Sequence, residues 1–259
     1  MVSFPSILRE AWEKSRGQGL LWFLLVLASA FPHLVSYGFL QVGFSSLPDG
    51  RPPALSPSLV SLLVTILFLG LVAAPAYGSG LMALFRQVHE GERPSLETFM
   101  REAGTYYWRI AGGGLLFALL VFFLGGFLVA GGPAAGVLRA LFLPFLVFIR
   151  MVALYWSPAV ALGDRTVLGG IQASTRMALL HWLPTLLLVL VDVGLAEGFS
   201  SLSGAGGMAS GLGSDAEGWL QRPSFLRVAA VILLQGSWQL YFRMVVWTFF
   251  RRGAPALQA

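Results

Sequence analysis

Residues 146–156 read LVFIRMVALYW, inside an apolar run from Leu138 to Leu162 that holds few other polar residues. In a soluble protein the run would be a buried core helix, and Arg150 at its centre would have to be paired. In a membrane a charge in mid-span is expensive, and it marks a functional position by default. The rest of the chain decides between the two. Of 259 residues, 56% are hydrophobic and only 11% charged, far from the composition of soluble domains. The reading is an all-α, polytopic membrane protein.

Six segments are apolar and long enough for a hydrocarbon core of roughly 30 Å, which takes about 20 helical residues. They are 20–42, 58–85, 108–130, 135–162, 180–199 and 224–250. The stretch LLWFLLVLASAFP also has the look of a signal peptide ending at Ala28-Ser29-Ala30. Its n-region is long, however, and the apolar run continues past Pro32 to Phe44, so it is read as the first span.

Orientation follows from the basic residues in the flanks. With the N-terminus inside, Arg9, Lys14, Arg16, Arg86, Arg93, Arg101, Arg109, Arg165, Arg176, Arg243, Arg251 and Arg252 are cytoplasmic, and only Arg51, Arg139, Arg222 and Arg227 are outside. Twelve against four puts both termini in the cytoplasm of a multi-pass protein of the cell (inner or plasma) membrane. The net charge of +5 is then a matter of topology, since its basic residues flank apolar spans and form no soluble face for nucleic acid. The partners it implies are membrane lipids and other membrane proteins.

Three cytoplasmic segments share a pattern. FPSILREAWEKSRGQ puts Phe4, Ile7, Leu8, Ala11 and Trp12 on one helical face, and RPSLETFMREAGTYYW does the same with Leu96, Phe99, Met100 and Ala103. Both read as interfacial helices whose apolar faces, through Phe4, Ile7, Leu8, Trp12, Leu96, Phe99 and Met100, contact lipid. DRTVLGGIQASTRMALLHW offers Val167, Leu168, Ile171 and Ala178 at similar spacing, although its two glycines count against a helix. The single membrane domain, 1–259, thus divides into units 1–85, 94–162 and 165–250, each an interfacial helix with a transmembrane hairpin. Either this is a threefold internal repeat or the three segments coincide by chance.

The stretches YGSGLMALFRQVHEGERPSLETFMREAGTYYWRIAGGGLL (77–116) and SPAVALGDRTVLGGIQASTRMALLHWLP, within 156–190, carry a resemblance. Each is a span end leading through a short polar turn into an amphipathic helix. In this the chain resembles a prokaryotic family of six-span proteins that includes the YciC-like proteins and the membrane domain beside some glycerophosphodiester phosphodiesterases. The resemblance implies a noncatalytic membrane module linked to envelope maintenance. The hydrolase domain has no counterpart here, so no hydrolase activity carries over.

Chemistry-bearing motifs are scarce. With no cysteine there is no thiolate site, and His33, His89 and His181 lack the spacing of a metal pair on one helix. They read as interfacial or capping residues. There is no Gly-x-Ser-x-Gly elbow, and the single lysine, Lys14, lacks the glycines of a P-loop. No cofactor and no catalytic residue is expected. Gly70, Ala74 and Gly78 form a small-xxx-small pattern for helix packing, and Pro32, Pro75 and Pro144 interrupt their helices.

Arg150 and Asp192 each fall about 12 to 15 residues from their span ends, or roughly 18–22 Å at about 1.5 Å per residue. Both are near the midplane of neighbouring spans, where each alone costs at least about 2.5 kcal/mol. A charge-assisted bond between them would offset much of that. Arg243, about seven residues before the end of the sixth segment, is placed to snorkel to the surface. The leading functional reading is a noncatalytic protein of envelope or lipid homeostasis or of membrane-complex assembly. The alternative is a transporter or permease component with its site at Arg150 and Asp192.

Overall fold

The computed structural model describes residues 4–44, 60–61, 64–65, 68–129, 135–163, 165–203 and 225–253. Among them every regular element is helical: α1 (Phe4–Ser15), α2 (Gly19–Phe44), a π-helical turn (Leu69–Ala73) that runs into α3 (Ala74–Glu90), α4 (Leu96–Glu102), α5 (Tyr107–Val129), α6 (Ala135–Gly163), α7 (Val167–Leu180), α8 (Trp182–Ser203) and α9 (Phe225–Gly253). Within the described residues four stretches are long and apolar enough to cross a membrane: Leu69–Glu90, Pro144–Gly163, Trp182–Phe199 and Leu226–Gly253. A fifth is present if Leu96–Glu102 and Tyr107–Phe123, bent by 70°, form one broken span. Gly19–His33, at the start of the first expected segment, is a shorter apolar helix. The chain is therefore all-helical with four to five candidate spans, the build of a membrane protein.

Local chemistry explains the boundaries. Ser95 and Thr166 are extended N-cap residues whose hydroxyls accept from the backbone N–H of Thr98 and Gly169, at 3.1 and 3.2 Å, which opens α4 and α7. Gly91 ends α3 at φ 88°, a left-handed conformation that only glycine adopts without strain. Pro75 can donate no hydrogen bond to the carbonyl of Leu71, and the π turn falls on the residues before it. Pro32, Pro144 and Pro158 lie inside α2 and α6.

The chain clusters into two compact units. One comprises Gly19–Ala74 and Val193–Leu240. In it Trp22 Nε1 donates to Ser237 Oγ at 2.9 Å, and Gly236 lies against the backbone of Val26, so α2 and α9 make close helix contact. His33 is 3.4 Å from Gln235 Oε1 in the same interface.

The other unit comprises Met1–Gln18, Pro75–Asp192 and Tyr241–Ala259. Here the three amphipathic segments all fold back onto an apolar helix, α4 and α7 antiparallel to theirs. For α4 on α3, Gln87 Nε2 donates to Thr98 Oγ1 at 3.0 Å, and further along Ser79 Oγ donates to the carbonyl of Glu102 at 2.8 Å while accepting from Tyr106 N–H at 3.0 Å. For α7 on α6, Gly170 packs against Val160 and Ser174 Oγ donates to the carbonyl of Val152. For α1 on α9, Phe4 meets Phe249 at 6.5 Å, Arg252 Nη1 donates to Ser6 Oγ at 2.9 Å, and Trp12 meets Tyr241 edge-on at 5.9 Å. Gly170 of α7 is thus part of its packing surface. Between the folded-back helices the ends of α3, α6 and α9 supply an aromatic core, with Phe85 stacked on Trp247 at 5.6 Å and Tyr155 on Phe249 at 5.8 Å.

This arrangement corrects two expected lipid contacts. Ile7 and Phe99 are buried, Ile7 in the seam with α9 and Phe99 against Tyr77 and Gly80. A helix folded along another helix spends its most apolar stripe on protein. Trp12, Leu96 and Met100 remain exposed, and Phe4 and Leu8 are partly buried. The close approach on α3 is likewise at Gly80 and not at Gly70, which faces open space.

Candidate functional site

The expected Arg150–Asp192 pair is not what the structure contains. Val152, Trp156 and Ala159 form the buried face of α6. Arg150 is two residues from Val152, about 200° around a helix of 3.6 residues per turn, and so points away from that face. It is exposed, and among the described residues it has no ion pair or hydrogen bond.

Asp192 instead exerts its charge on Arg243, and the Tyr77 phenol lies within electrostatic range of the same guanidinium. Arg243 lies on α9, Asp192 on α8 and Tyr77 on α3, so three helices of one unit converge on one guanidinium. The Nε of Arg243 is buried and lacks a hydrogen-bond partner among the described residues, although part of the side chain is accessible. The distances along the helices agree. Asp192 is 10 residues after Trp182 and Arg243 is 10 before Gly253, which is about 15 Å from each end. In place of the snorkelling expected for Arg243, its side chain is part-buried and lies within the field of the Asp192 carboxylate.

A second polar group lies in the aromatic core. His89 is 2% exposed and tilted over Trp247, with Nδ1 2.9 Å from the carbonyl of Phe85 and Nε2 3.3 Å from Thr248 Oγ1. A neutral ring with its proton on Nδ1 satisfies both contacts, as donor to the carbonyl and acceptor from the hydroxyl. Arg251 Nη1 donates to the His89 carbonyl, closing the end of α3 onto α9. His181 ends α7 and meets Phe249 edge-on at 5.2 Å. These histidines are structural partners, and no group of three or more potential metal ligands occurs among the described residues.

Glu10 joins α1 to α9. Its carboxylate pairs with Lys14 Nζ at 2.8 Å and with Arg252. Burial pushes the Glu10 carboxyl up, but Lys14 and Arg252 outweigh it and hold the group below its ordinary value of 4.5. A carboxylate whose value is lowered by folding contributes stability above the ordinary value, and that stability is lost as pH falls through the lower, folded one. The expected result is that the hydrogen-exchange protection of residues 4–15, corrected for intrinsic exchange, falls below pH 4.5 in wild type, while Glu10→Gln is less protected at neutral pH and loses the acid step. An acid step of equal size in Glu10→Gln would assign it to another group. Beneath the same seam a cavity of about 70 Å³, lined by Phe4, Ile7, His181, Pro184, Phe249 and Gly253, has room for a few waters.

Compared with models of known families, with characterised proteins and with solved structures, the chain gives no match.

Proposed function

We propose that this is a noncatalytic integral membrane protein that crosses the bacterial inner membrane six times with both termini in the cytoplasm. It acts by packing against lipids or other membrane proteins, in envelope and lipid homeostasis or in assembling membrane complexes. The observation that carries this reading is the outer face of the folded-back helices. Trp12, Leu96, Met100, Leu168 and Leu180 are exposed there beside the exposed arginines Arg9, Arg101 and Arg176. Large apolar side chains interleaved with arginine suit acyl chains and anionic headgroups, or a partner's apolar surface. The arginine asymmetry supports the orientation, and the resemblance to the YciC-like group supports a noncatalytic role.

Two measurements test it. Purification in native lipid followed by mass spectrometry should find retained anionic lipid or co-purifying membrane proteins; a preparation holding neither would end the reading. For topology, Ser56→Cys and Ser214→Cys, which lie outside the described residues, should label from outside intact cells. Glu97→Cys and Gln172→Cys, both exposed on the folded-back helices, should stay protected. Labelling of Glu97→Cys from outside would reverse the orientation.

A second reading, a transporter component, is favoured by one observation, the buried unpartnered Nε of Arg243. Its site would be Arg243, Asp192 and Tyr77. A flux in proteoliposomes that Arg243→Lys abolishes without unfolding the protein would select this reading over the first.

A further inference from the structure

Of the three helices that fold back, α1 is fastened differently from the other two. α4 and α7 are anchored through hydroxyls shut away from solvent, Ser79 and Ser174, each donating to a carbonyl across its seam. α1 is tied to α9 through Arg252, which donates to Ser6 Oγ at 2.9 Å and pairs with Glu10. The Arg252 and Glu10 side chains are 40% and 27% accessible, so other anions can reach the pair. Ion pairs open to solvent in this way hold weakly.

The apolar side of the contact is incomplete as well. From the face of Phe4, Ile7, Leu8, Ala11 and Trp12, the seam buries Ile7 and Ala11, while Trp12 is 51% exposed and Phe4 and Leu8 are partly so. Phe4 and Ile7 also roof the cavity whose other walls are His181, Pro184, Phe249 and Gly253. A membrane interface would take the whole face, Trp12 included, with Arg9 and Arg16 among the headgroups. α1 therefore has two seats: α9 suits its small inner stripe and the Glu10 charge, and the interface suits its large side chains. The linker allows both. Gly17 turns the chain at φ 77°, and the chain passes from one compact unit to the other between Gln18 and Gly19.

We propose that α1 is a latch opened by anionic phospholipid. A headgroup phosphate takes Arg252 from Glu10, and α1 swings about residues 17–19 into the membrane interface, uncovering the cavity beside His181. The guanidinium offers a phosphate the same paired donors that it offers a carboxylate. The phosphate binds the released state better because Glu10 has left Arg252, and that difference in affinity is what shifts the equilibrium. The proposal rests on the membrane reading above and adds control by lipid to it.

The test uses the full chain in lipid nanodiscs. The sequence has no cysteine, so spin labels attach only where one is introduced. Labels at Glu13→Cys on α1 and Gln172→Cys on α7, both exposed, report the latch by pulsed EPR distances, and Glu97→Cys with Gln172→Cys on the two firmly anchored helices is the control pair. In phosphatidylcholine the α1 pair should give one distance. Phosphatidylglycerol should add a second, raising the ratio of released to docked α1 at least about tenfold, with the control pair unchanged. Glu10→Gln should raise that ratio already in phosphatidylcholine, and Arg252→Gln should do so without further response to phosphatidylglycerol. One distance in every lipid and in Glu10→Gln, a lipid response that Arg252→Gln retains, or a change shared by the control pair would overturn the latch while leaving the membrane reading standing. An equal response to inorganic phosphate over phosphatidylcholine would overturn lipid as the ligand. A chain that stays folded and monodisperse without detergent and does not enter the discs would bring down the membrane reading and the latch with it.

Discussion

Asp192→Leu should destabilise this chain, lowering the melting temperature in detergent by about 5 °C. Removing one partner of a fully buried charge pair costs about 3–5 kcal/mol, the part-buried positions of Asp192 and Arg243 bring that to about half, and about 1 kcal/mol shifts the midpoint of a domain of this size by roughly 2–4 °C. The cost arises because Arg243 keeps its charge at any accessible pH and its Nε is already buried without a partner. Arg243→Met should cost less, since the carboxylate it strands is partly accessible. The double variant, Asp192→Leu with Arg243→Met, should recover most of the loss, because apolar residues of similar volume suit the same interior. Combining Asp192→Leu with Arg150→Met should recover nothing. Recovery in that second pair and not in the first would restore the Arg150–Asp192 bond and overturn the assignment of Arg243.

The two arginines show what the sequence held and what it withheld. The apolar runs, the three amphipathic segments and the caps at Ser95 and Thr166 are legible because each depends on residues close in the chain. The rotation of a spanning helix is not. Around Arg150 no polar stripe says which face turns inward, which leaves distance to the span end as the guide; on α9, by contrast, Gln235, Gln239 and Arg243 recur at four-residue spacing, a stripe that marks one face. Distance alone gave Arg243 a short route to the surface and placed Arg150 opposite Asp192. What sets the rotation of α6 is Trp156, whose ring occupies a gap left by glycines of two other helices. The folding back of α1, α4 and α7 was hidden for a related reason. An amphipathic helix in a membrane interface and one laid along a neighbouring helix carry the same pattern of apolar residues. The signals that could have separated them were glycines facing larger apolar side chains across a short turn, such as Gly80 before Phe99 and Gly170 after Trp156 and Val160.

Three consecutive glycines in α5 should respond to alanine with different signs, and the pattern tests the packing around Trp156 directly. In a helix, alanine is ordinarily favoured over glycine by about 0.5–1 kcal/mol. Gly114 faces open space, so Gly114→Ala should stabilise by about that amount. At Gly112 a new methyl would meet Val167 Cγ2 at 3.6 Å, an ordinary contact, and Gly112→Ala should be neutral or mildly stabilising. Gly113 is buried, and a methyl there would overlap the six-membered ring of Trp156. That indole cannot easily retreat. Gly170 of α7 bounds it so closely that a methyl there would meet its Nε1 at 3.2 Å, Phe117 meets it edge-on at 6.0 Å, and its Nε1 donates to the Val167 carbonyl at 3.4 Å. Gly113→Ala should therefore destabilise by about 2–3 kcal/mol or more, reversing the helix preference, since overpacking a filled interior forces side chains off their rotamers. Trp156→Leu removes the obstructing ring and by itself should cost about 3 kcal/mol, near the lower end for losing a large buried aromatic. In that background Gly113→Ala should become harmless or favourable, so the two changes should be strongly non-additive, as expected for residues in direct contact. Thermal melts of the four proteins in the cycle decide it. Additive effects, or a Gly113→Ala that stabilises like Gly114→Ala, would mean that Trp156 does not lie against Gly113, and the rotation of α6 that turns Arg150 outward would lose its anchor.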